Sequence, residues 1–188
     1  MILKGYQTAV DSSQLAVTKE RTMSATSTKT PTPTGLPAAT FNRILDEGYG
    51  PGAWYGSDLH AAVGEATAAT AFKRPAKGRH NIAEVAVHHA YWAGQIAGKL
   101  TGEAAATFPL DGEDWFELKD ESQLSWKEIV ATLDAAQHRL SQAVSEIASG
   151  ARISPLGEAE RFDLVVGITG HAAYHAGQIQ LIKKLVGA

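Results

Sequence analysis

A nine-residue string occurs twice in this chain: HHAYWAGQI at residues 88–96 and HAAYHAGQI at 171–179. Seven of the nine positions agree in register: His, Ala, Tyr, Ala, Gly, Gln and Ile. The repeat predicts two quasi-equivalent helices and so limits the fold to one that sets such helices side by side. The second copy carries His171 and His175, and residues four apart share a helix face at ~5–6 Å between Cβ atoms. Two imidazoles so placed can chelate one ion. The first copy contributes His88, the counterpart of His171, but has Trp92 where the second has His175. Together the pair offers three histidines and an incomplete sphere, the pattern of a catalytic rather than a closed structural metal site. Two plainer readings stand beside it: the histidines as ordinary surface or core residues, and the repeat as packing alone. For the latter, Gly94 and Gly177 would let two helices approach closely, since a mid-helix glycine costs ~1 kcal/mol relative to alanine.

Helical periodicity extends through most of the chain. Phe41, Ile44 and Leu45 mark a helix over 38–47, ended by GYGPG. Ser57 is a candidate cap for a short helix at 58–63, and another short one is expected at 67–72. Asn81, with Glu84 three residues on, opens a long helix to Leu100, closed by Thr101–Gly102. Ser125 and Glu128 form the same signature before Ile129, Leu133, Ala136, Leu140, Val144 and Ile147. The last helix is expected from 158–162 to Leu185, with Leu164, Ile168, His171, His175, Ile179 and Ile182 in one stripe. Long helices and no convincing strand predict an all-α, four-helix bundle. Between the second and third long helices, residues 103–124 form an acidic loop carrying Asp111, Glu113, Asp114, Trp115 and Phe116, and a loop this long in a small domain is often functional. Thr22–Thr34 is Thr-, Ser- and Pro-rich and cannot bury enough apolar surface to offset its ordering entropy. Residues 1–35 are therefore expected to be a disordered leader, with Met23 as an alternative start, and residues 36–188 the folded domain.

Composition excludes several classes. The 188 residues contain no cysteine, so disulfides, thiol nucleophiles and thiolate ligands are ruled out. A net charge of −3 disfavours a generic nucleic-acid surface. No run of eighteen apolar residues predicts a membrane span, and the N-terminus lacks the apolar stretch of a secretory signal. A cytoplasmic protein is expected. His171–His175 is not HExxH, because Ala172 stands at the glutamate position, so a zincin peptidase is disfavoured.

Around the proposed site, His89 rivals His88, although one helical step of ~100° keeps both from facing one ion. Glu84, one turn before His88, is either a carboxylate orienting that imidazole or a helix cap. Gln178 and Gln95 face the site or pair helices. Tyr174 and Tyr91 can donate to a substrate or simply pack. Trp92 should line the same cavity as His88.

The segments GAWYG (52–56), RHNIAEVAVHHAYW (79–92) and HAAYHAGQIQLIKK (171–184) resemble the DinB-like superfamily over about residues 36–188. The resemblance implies a four-helix bundle and a homodimer. It also implies a divalent ion, commonly zinc or nickel, held by His88, His171 and His175. One departure is Tyr55, where related sequences often have His after the Trp of the GAW segment. Some relatives transfer small thiols or isomerise thiol conjugates. The expectation is a metal-dependent enzyme acting on a small-molecule substrate, of thiol transferase or hydrolase type. The alternative is a non-catalytic, metal-stabilised helical-bundle binding or stress-response protein.

Overall fold

The computed structural model describes residues 38–187, and the expected leader at 1–35 lies outside them. Six helices and no strand are present among the described residues: α1 (Ala38–Tyr49), α2 (Leu59–Gly64), α3 (Ala68–Ala71), α4 (Ile82–Thr101), α5 (Trp126–Ala148) and α6 (Glu158–Val186). The fold is an all-helical bundle. Helix α4 packs against α5 and α6, and α1 packs against the same two, so α1 and α4 occupy diagonal corners.

The caps fix where the long helices start. Asn81 accepts from the Glu84 amide while the Glu84 carboxylate returns to the Asn81 N–H, and Ser125 and Glu128 repeat the arrangement. Gly102 ends α4 in the left-handed conformation at φ 74°, which glycine adopts without steric cost. The α2 cap is Asp58 rather than Ser57; its carboxylate accepts from the Ala61 amide.

Every residue from Asn81 to Ala90 is buried. A bundle helix normally keeps one face wet; here the long loop covers it, setting Phe116, Leu118 and Leu124 into the core. Each fully buried Leu or Ile contributes ~1.5–3 kcal/mol, so Ile82, Leu100, Leu118, Ile129 and Leu133 anchor loop and helices as one unit. Anything on the first half of α4 therefore looks into the interior or onto the loop.

The expected close approach at Gly94 and Gly177 is not found. A Cβ built at either meets nothing within 4 Å among the described residues. Helices α4 and α6 are neighbours, but these glycines face outward. Close approach occurs elsewhere: at Gly48 a Cβ would lie 2.6 Å from the Thr169 carbonyl oxygen and 2.9 Å from the Ala172 Cβ, which is where α1 meets α6. No helix among the described residues is long and apolar enough to cross a membrane.

Candidate metal centre

The equivalent helices α4 and α6 bring three imidazoles to one point. His88 Nε2 lies 3.0 Å from His171 Nε2, and His175 Nε2 lies 2.9 Å from the same atom. Ligand atoms of His88, His171 and His175 all fall within 4.8 Å of one another. His89, one step round the helix, is not in this set.

The outer nitrogens decide where the protons sit. His88 Nδ1 is 2.8 Å from the carbonyl oxygen of Asp114, and His175 Nδ1 is 2.6 Å from Gln178 Oε1. Both partners can only accept, so both rings carry their proton on Nδ1 and leave Nε2 bare. Two lone pairs are thus aimed at the Nε2 of His171. A single proton on that atom points at one of them at a time, whereas an electrophile between the rings meets all three nitrogens. A divalent cation fits this geometry, since metal-bound imidazoles hold their other N–H on an outer acceptor.

Burial keeps the rings neutral. Desolvation, reinforced by neighbouring histidines, pushes His171 and His175 down to about 4. His88 is also lowered by burial, against an upward pull from Asp114. At neutral pH all three offer lone pairs rather than positive charge.

The acidic loop closes over this point through Asp114. Its φ of +65° is left-handed, a conformation that Asp tolerates better than most residues. That turn aims the backbone oxygen at His88 while the carboxylate accepts from Trp92 Nε1 at 2.6 Å. Next to it, Trp115 stacks on His88 at 3.8 Å between ring centres and on His80 at the same distance on its other face. Neither Asp114 nor Trp115 has a spacing signal in the sequence; only the length and composition of the loop point to them.

The other expected residues divide. Trp92 lines a cleft of about 230 Å³ with Ile96, Leu164, Gly167, Ile168 and His171. Gln178 holds His175. Glu84 is buried and makes no hydrogen bond to His88: it takes up Arg74, His80 Nδ1 and the backbone N–H groups of Asn81 and Leu118. As the third residue of the helix its carboxylate folds back to the cap, away from His88. It fastens the loop instead of orienting a ligand. Tyr174 is 64 % exposed on the outer side of α6 and does not enter the cleft.

The DinB superfamily model matches residues 54–179, well over half the chain and inclusive of all three histidines. The chain belongs to the DinB superfamily. No curated protein and no solved structure matches it. The DinB match begins inside the GAWYG segment, at Trp54; the segment lies between α1 and α2, where Trp54 and Tyr55 are exposed. The two copies of the repeat supply the histidine cluster.

Proposed function

We propose that this protein is a metal-dependent enzyme acting on a small molecule, with a divalent ion, zinc or nickel, held by Nε2 of His88, His171 and His175. The observation that carries the reading is the convergence of three Nε2 atoms, two of which are unprotonated because their rings donate an Nδ1–H to an outer acceptor. A bound ion would act as a Lewis acid or lower the pKa of a bound water or thiol. The protein's own residues do the rest. Asp114 and Gln178 hold two rings in register, and Trp115 shields His88 from water. The cleft between α4 and α6 reaches His171 with mostly apolar walls and one carboxylate, Asp163. It favours an enzyme over a closed structural site, and suits a small, largely apolar substrate for thiol transfer or hydrolysis.

A homodimer belongs to the same proposal. Phe162, Val166, Tyr174, Leu181 and Leu185 are exposed along α6, a helix apolar on both sides. Glu158 and Glu160 lie in its first turn and the exposed Lys184 in its last, so antiparallel pairing of two copies would oppose unlike charges. A cytoplasmic setting completes the reading and is compatible with the cysteine-free composition.

The test uses protein purified without a polyhistidine tag. Wild type should hold one zinc or nickel per chain, and the His171→Ala, His175→Ala double variant none. Retention of full metal by a folded double variant would overturn the site. Turnover of a thiol-transfer or ester substrate by wild type, lost in the double variant, supports the enzyme. Metal binding with no turnover across both panels favours the binding module.

A further inference from the structure

The third ligand has an unusual partner. His171 Nδ1 lies 3.0 Å from the Nδ1 of His89, which is wholly buried on α4. Two imidazole nitrogens at that distance share one proton, so one donates and the other accepts. The Nε2 of His171 faces the bare Nε2 atoms of His88 and His175, and must itself be bare when an ion sits between the three; without an ion it can carry a proton and donate to either. With the ion bound, the His171 proton sits on Nδ1 and is donated to His89. The Nδ1 of His89 accepts, which places its own proton on Nε2. That Nε2 is buried without a hydrogen-bond partner among the described residues. A leucine of similar size would avoid the cost of an unpartnered buried donor, so packing gives no reason for a histidine here. The ring also stands at one of the two positions where the copies of the repeat differ: the second copy has Ala172, packed against Gly48.

We propose that His89 is a positioning residue that accepts the Nδ1 proton of His171 when an ion is bound and holds its Nε2 toward His88 and His175. Its effect on metal binding rests on the metal-site reading above. It completes a set in which each of the three rings has its own acceptor: the Asp114 carbonyl for His88, the Gln178 amide for His175 and an imidazole for His171. The first two acceptors come from a loop and from the ligand's own helix. The third comes from the neighbouring helix, so the angle of His171 is tied to the packing of α4 on α6.

Two variants separate this role from packing. His89→Leu removes the acceptor and keeps the volume. In His89→Asn the side-chain amide oxygen stands close to the position of Nδ1 and can accept in its place. Zinc affinity, measured by competition with a chromogenic chelator, should fall by about 10–100-fold in His89→Leu, the usual effect of removing a ligand's outer partner. It should recover most of the loss in His89→Asn. Long-range ¹⁵N–¹H correlation spectra supply a second readout. One proton shared between the Nδ1 atoms of His89 and His171 should be visible in metal-free wild type, and zinc should leave it on His171; in His89→Leu the shared proton should be absent. Equal zinc affinity in wild type and His89→Leu would overturn the proposal, as would a metal-free wild type with no proton shared between the two rings. A wild type that shows the shared proton and takes up no zinc would instead defeat the metal-site reading and leave the pairing of the two rings standing.

Discussion

Removing the Glu84 carboxylate should unfasten the loop that covers the site, and Glu84→Ala makes the size of that effect measurable. The carboxylate is 1 % exposed and receives the backbone N–H of Leu118 at 2.9 Å and that of Asn81 at 3.3 Å, together with the Arg74 guanidinium and His80. Arg74 and His80 are partly exposed and can turn to water, so their loss contributes little. The two amides cannot: Asn81 and Leu118 are both wholly buried. An unsatisfied buried donor costs ~1–3 kcal/mol, and two of them give ~2–6 kcal/mol before relaxation. The cap of α4 loses one of its two bonds in the same change. Urea denaturation of the metal-free protein should show the loss directly, as a lower midpoint at unchanged slope. Asp114 and Trp115 lie on the same loop, so zinc affinity should fall as well, although Glu84 touches none of the three ligands. A change in stability below ~1 kcal/mol would refute the reasoning, because it would mean that the loop is held on α4 without the carboxylate, by apolar packing and the bonds from Asn81, His88 and Trp92.

Three further outcomes are expected. His171 and His175 titrate near 4 in the folded protein against 6.5 for an unperturbed ring, so between these values the unfolded chain binds more protons. Metal-free protein should therefore be fully stabilised by these groups above pH 6.5 and lose that stability as pH falls toward 4; a denaturation midpoint at pH 5 equal to or above that at pH 7 would contradict this. Gly48→Ala should destabilise by ~1–3 kcal/mol, since its Cβ meets backbone at 2.6 Å, whereas Gly177→Ala should be neutral or stabilising by up to ~1 kcal/mol, read by thermal melts. Trp92→His, which restores the histidine of the other repeat copy, should tighten zinc binding and abolish turnover; unchanged affinity would mean that position 92 does not face the ion.

The parts of this molecule legible in sequence are those governed by local, periodic physics. Asn81 with Glu84 and Ser125 with Glu128 announce helix starts because a cap is a three-residue event. The His171–His175 spacing places two rings on one face because the helix repeat is fixed. Residues that depend on direction rather than spacing were harder to read. Glu84 sits one turn from His88, but a carboxylate at the third position of a helix bends back toward its cap, and nothing in the spacing shows that. The mid-helix cost of Gly94 and Gly177 suggested a tight helix contact, yet both face outward, and the contact lies at Gly48, within a turn-like GYGPG string that reads as a helix stop. Asp114 was visible only as one acid among several, because its role depends on a left-handed backbone in an aperiodic loop. His89 read as a rival ligand; its contact with His171 arises from the packing of α4 on α6, which no single-helix argument contains.

X-ray absorption at the zinc edge of the untagged, zinc-loaded protein tests the central claim most directly, because it counts imidazoles around the ion. Three imidazole nitrogens at ~2.0–2.1 Å with one further light-atom ligand is the predicted result, and the imidazole count should fall in His175→Ala. A sphere of oxygen ligands with one imidazole or none, or a spectrum unaltered by His175→Ala, would contradict the account.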